Sequence, residues 1–114
     1  MSRTIQRAEL FEEDFARQFA WYAREASATI AWRFHDDLGT TLRRLAGRPD
    51  LGRIRHFRDP RLRGLRSCAV DRPFGKILIF YRSTDEALFA VRLMHGARNL
   101  PRRLLETPGS ESVS

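Results

Sequence analysis

Apolar residues repeat with a helical period over the first 47 positions of this chain, then give way to short β-rich runs between positions 65 and 95. That change of period restricts the fold to helices packed on a sheet. At about 100° per residue, Phe11, Phe15, Phe19, Tyr22 and Ala26 fall on one helical stripe, a core face. The helix opens among Glu9, Glu12, Glu13 and Asp14, acids that the helix dipole favours in a first turn, and ends near Glu25 or Ala26. Ser27 is a good N-cap for a second helix, in which Ile30, Phe34, Leu38, Thr41, Leu42 and Leu45 share a side and which Gly47 and Pro49 stop. A connection of one or two residues forces the helices to run antiparallel, with both stripes facing a common third layer.

Residues 65–71, 76–82 and 88–95 read as three strands, separated by turns holding Pro73 and Gly75 and then Ser83 to Glu86. They form an antiparallel meander whose middle member, apolar almost throughout, is the most buried. Residues 4–7 supply a short extended piece able to join an edge, and residues 50–63 read as a long arginine-rich loop. The expected architecture is α+β: a short N-terminal strand and an antiparallel helical hairpin packed on a three- to four-stranded antiparallel sheet. Residues 1–106 make one domain, including one helical turn after Pro101, and the polar residues 107–114 form a frayed tail.

With a single cysteine, Cys68, the chain can build neither an internal disulfide nor a cysteine-based zinc site, and His35, His56 and His95 show no ligand spacing. No metal or cofactor is therefore expected. A reducing, cytoplasmic setting fits, and no apolar run approaches the length of a membrane span. Twenty arginines and one lysine against 14 acids give a net +7, and its distribution is uneven. Residues 1–42 net −2, residues 43–82 net +9 and residues 83–114 net zero. Such a concentrated positive field draws in phosphate backbones or an acidic protein surface.

Four stretches and the order of elements resemble the RelE/ParE superfamily of type II toxins, and the ParE branch in particular. The stretches are Leu-Ala-Gly-Arg-Pro-Asp-Leu-Gly at 45–52, Gly-Leu-Arg at 64–66, Ile-Phe-Tyr-Arg at 79–82, and His-Gly-Ala-Arg-Asn at 95–99. The resemblance covers roughly residues 3–100. It implies a small toxin that poisons DNA gyrase and arrests growth, without catalytic activity of its own, and that a ParD-like antitoxin neutralises. Members of the RelE branch instead cut messenger RNA on the ribosome.

Cleaving RNA through a 2′-hydroxyl requires a proton acceptor, a proton donor and cations on the phosphate. Under that alternative, Arg66, Arg82 and Arg92 on successive strands converge on a phosphate and His95 transfers a proton. RelE-like enzymes typically carry a tyrosine after the last strand, whereas the only tyrosines here are Tyr22 and Tyr81, so the catalytic set looks incomplete. Under the ParE-like reading, Arg66, Arg82, Arg92 and Arg98 contact the target. Trp21 and Trp32 fall off the core stripes of their helices; with Leu10 they are the candidate antitoxin or self-association surface, unless the 50–63 loop covers them. A homodimer and a toxin–antitoxin hetero-oligomer both remain open. A third reading is a toxin fold that no longer kills and only binds its antitoxin or nucleic acid.

Overall fold

The computed structural model describes residues 2–96 and 100–108. Strand β1 (Thr4–Arg7) leads into helix α1 (Glu9–Glu25), and helix α2 (Ala28–Gly47) follows after two residues. The expected cap is present, since Ser27 Oγ accepts from the Ile30 amide at 3.1 Å. Strands β2 (Arg53–Ile54), β3 (Arg66–Ala69), β4 (Ile77–Ser83) and β5 (Ala87–His95) come next, then the short helix α3 (Leu100–Leu104). The fold is the expected α+β one, but the sheet has five strands in the order β1-β5-β4-β3-β2. It is also mixed, because β1 pairs parallel to β5, with Thr4 opposite Ala87 and Arg7 opposite Ala90. A four-residue strand with no hairpin turn carries no signal for its direction, which the helical connection sets instead. The expected loop at 50–63 contains β2, antiparallel to β3, and two single 3-10 turns at Pro49–Leu51 and Pro60–Leu62.

The sheet buries both faces. Against the hairpin lie Ile77, Ile79, Tyr81, Leu88, Ala90 and Leu93, packed on Phe11, Phe34, Leu38, Leu42 and Leu45. The opposite face, around Leu65, Phe80 and Met94, is covered by Leu62, Phe57 and the α3 residues Leu100 and Leu104. Helix α1 contributes less to the core than its periodicity predicts. Only Phe11 is fully buried, Phe15 and Tyr22 are partly so, and Ala26 is exposed.

The loop is fastened from below by Tyr81. Its hydroxyl donates to the Pro49 carbonyl and accepts from the Gly52 amide at 2.9 Å. A Cβ at position 52 would collide with that hydroxyl, so glycine is required there. Burial raises the Tyr81 phenol pKa, which keeps the proton available for donation. In the last turn of α2, Arg44 holds Asp71 through two 2.8 Å hydrogen bonds, and the pairing lowers the Asp71 pKa.

Candidate functional site

The outer edge of β5 is only half paired. β1 covers residues 87–90, and beyond them Asp14 of α1 takes over, accepting from the Leu93 amide at 3.0 Å. The same carboxylate forms a buried ion pair with Arg92 at 2.8 Å, both side chains being less than a tenth exposed. Arg92 Nη1 also donates to the carbonyls of Leu104 at 2.9 Å and Glu106 at 2.6 Å, joining the end of α3 to α1 and β5.

Next to this junction opens a cleft of about 730 Å³ between α1, the β3–β4 turn and the end of β5. Trp21, Tyr22, Phe74, Leu93 and Met94 give it an apolar and aromatic wall, and Arg17, Lys76, His95 and Arg103 line its polar side. Its one acid, Asp14, is already neutralised by Arg92. Arg103 Nη1 donates to the His95 carbonyl at 3.3 Å, while its buried Nε finds no hydrogen-bond partner among the described residues. The cleft is thus apolar on one side and cationic on the other, beside a strand edge that no described strand pairs.

The arginines expected to converge do not. Arg66 stands opposite Tyr81, on the hairpin face, and donates to the Gly52 carbonyl at 2.7 Å. Arg82 points to the other face, where it donates to the carbonyls of Arg61 and Arg63 at 2.8 and 3.2 Å. Neither pairs with an acid. Arg92 is buried in the junction just described. His95 is exposed opposite Ile77, five residues from Arg82 along β4, or about 17 Å at strand rise. Arg98 lies outside the described residues, as do residues 109–114 of the expected tail. Cys68 is half-buried and burial raises its thiol pKa, so it is not an activated nucleophile.

Both tryptophans are exposed, Trp21 to 48% and Trp32 to 56%, because the 50–63 loop packs on the far face of the sheet and covers neither. They do not form one patch. Trp21 lines the cleft, whereas Trp32 rests edge-on against Phe19 and His35 on the outside of the hairpin. Leu10 is on the Asp14–Trp21 side of α1 but three turns from Trp21, about 16 Å along the axis. Arg17, Phe74, Lys76 and Arg103 gave no sequence signal of belonging together, since the tertiary fold brings them from three separate segments.

The family model described as the ParE toxin of type II toxin-antitoxin system, parDE, matches residues 5–100. The chain belongs to the ParE toxin family. This ParE-type toxin is also similar to a solved structure of the chromosomal ParDE system from P. aeruginosa, with a TM-score of 0.67 at 14% identity, over 84% of this chain and 98% of that one. At that identity the likeness concerns the fold. No curated protein sequence matches the chain. Among the described residues no cluster could hold a metal ion, and no helix is long and apolar enough to cross a membrane.

Proposed function

We propose that this ParE-type toxin acts in the cytoplasm by poisoning DNA gyrase, arresting growth when free, and that a ParD-like antitoxin holds it inactive. The observation that carries the choice over ribosome-dependent RNA cleavage is the separation of Arg66, Arg82, Arg92 and His95. Two lie on opposite faces of the sheet, a third is locked in an ion pair, and the histidine stands at the far end of β4. General acid–base cleavage needs such groups around one phosphate. Arg66 and Arg82, paired with carbonyls rather than acids, keep their charge for a target, and Arg98 belongs to the same proposal.

The cleft suits the antitoxin. Its aromatic wall takes a large apolar side chain, and Arg17, Lys76 and Arg103 answer acidic residues. Two assays on the purified chain test the reading: gyrase supercoiling with cleavage-complex formation, and cutting of messenger RNA on programmed ribosomes. Gyrase inhibition without RNA cuts is expected, and cuts with gyrase untouched would overturn it.

A further inference from the structure

We propose that the sheet face turned away from the helical hairpin, carrying Arg53, Arg55, Arg58, Arg61 and Arg63, docks on the phosphate backbone of duplex DNA. Packing lays the segment that carries them there, since Phe57 and Leu62 pack on that face. Arg53 lies opposite Ser67, and Ser67 opposite Phe80, one row across β2, β3 and β4. Arg55 donates to Ser67 Oγ at 3.1 Å and sits 5.5 and 5.9 Å from the ring centres of Phe57 and Phe80. Arg82 pins the 61–63 turn to the same face through the carbonyls of Arg61 and Arg63. Main-chain and aromatic contacts hold most of the group together, and only Arg61 pairs with an acid among the described residues.

Charge balance on this face is left open. Asp59 pairs with Arg61 at 2.8 Å, but the side chains of Arg53, Arg58 and Arg63 have no acid partner among the described residues. Burial and the neighbouring Arg53 both oppose the charge on Arg55, the mark of like charges held close without a counterion. An external polyanion relieves that repulsion, and each guanidinium can engage a phosphate through two parallel hydrogen bonds.

The surface favours a duplex over a single strand. Single-stranded binders gain affinity by stacking bases on exposed aromatic rings, and none is offered here. Phe80 is fully buried and Phe57 half-buried beside Arg55, while Trp21 and Trp32 lie on the hairpin side. Guanidinium groups that engage the phosphates carry no base information, so binding through this face is independent of DNA sequence. The inference does not rest on gyrase being the target.

The test is fluorescence anisotropy of the full chain with a labelled duplex of about 20 base pairs, titrated at salt concentrations from about 50 to 200 mM. Engagement of about four phosphates gives a slope of log affinity against log salt near −3.6. The triple variant R53Q/R58Q/R63Q, at exposed positions whose side chains hold nothing in place, should lower that slope by about 2.7 and weaken low-salt binding at least about tenfold. A charge-matched triple on the hairpin, R24Q/R33Q/R43Q, should keep most of the affinity. Equal loss in both triples would show that net charge alone drives binding and overturn the proposal. So would the absence of salt-dependent binding, tighter binding to a single strand of the same length, or preference for polyglutamate of equal charge, which would give the face to an acidic protein. Circular dichroism melting of each variant separates binding loss from unfolding.

Discussion

Two regions of the molecule handle arginine differently. At the β5 junction and the last turn of α2, Arg92 and Arg44 reach across the sequence to Asp14 and Asp71 and tie secondary-structure elements together. On the 50–63 segment, Arg53, Arg58 and Arg63 touch no acid among the described residues, and Arg55 leans on aromatic rings. Arg92 is buried and therefore paired, because an unpaired buried ion is costly, while Arg44 is paired though half exposed. Charge meant for an outside partner stays exposed and unneutralised. Net charge alone merges these two populations, and only the contacts separate them.

The sharpest way to break the contrast is Asp14→Ala. It leaves Arg92 buried without a counterion and the Leu93 amide without an acceptor, and should cost about 3–5 kcal/mol in urea denaturation. Arg53→Ala in the 50–63 segment should stay within about 0.5 kcal/mol of the parent. A comparable cost for both would erase the distinction between structural and partner-facing arginines.

Tyr81→Phe acts from beneath the loop. Losing the bonds to Pro49 and Gly52 should cost about 1–3 kcal/mol, and should weaken duplex binding while leaving antitoxin affinity unchanged. If antitoxin affinity fell in step, the two regions would not be independent.

For the cleft side, Trp21→Ala should weaken antitoxin binding by about 2 kcal/mol, read by calorimetry, with the fold intact. Trp32→Ala and Leu10→Ala, away from the cleft, should each have smaller effects; the reverse ranking would move the interface to the outside of the hairpin.

The smallest expected effect is on pH dependence. The Arg44 pairing lowers the Asp71 pKa below that of the unfolded chain, so its stabilisation is fully present above the ordinary carboxylate value of about 3.9 and is lost as pH falls through the folded value. Unfolding free energies of the parent and Asp71→Asn should therefore differ at pH 6 to 7 and converge at strongly acid pH. A gap that widens on acidification would contradict the pairing.

Much of the fold was legible locally. The Ser27 cap, the stop at Gly47 and the three meander strands were fixed by neighbours within one or two turns or one hairpin, and strand ends moved by only one or two residues. β2 escaped notice because a two-residue strand carries no periodicity. The site was harder to read. Arg92 was expected on a phosphate, whereas its partner Asp14, 78 positions away, leaves no local signal. The arginines on successive strands looked convergent because strand order was visible, but which face each side chain takes depends on register and on the bulge between Phe80 and Tyr81.

By itself, then, the sequence determined the order of the helical hairpin and the meander strands, the position of both tryptophans off the core stripes and the segment holding the excess positive charge. Each follows from period, capping or composition, which act over short range. Tertiary structure alone decided that β1 runs parallel to β5, that Trp21 lines a cleft and Trp32 does not, and that Arg92 binds within the molecule while Arg53, Arg58 and Arg63 face outward. These outcomes depend on which distant groups the packed layers bring within a few ångströms, and burial then makes pairing obligatory for some charges and leaves others free.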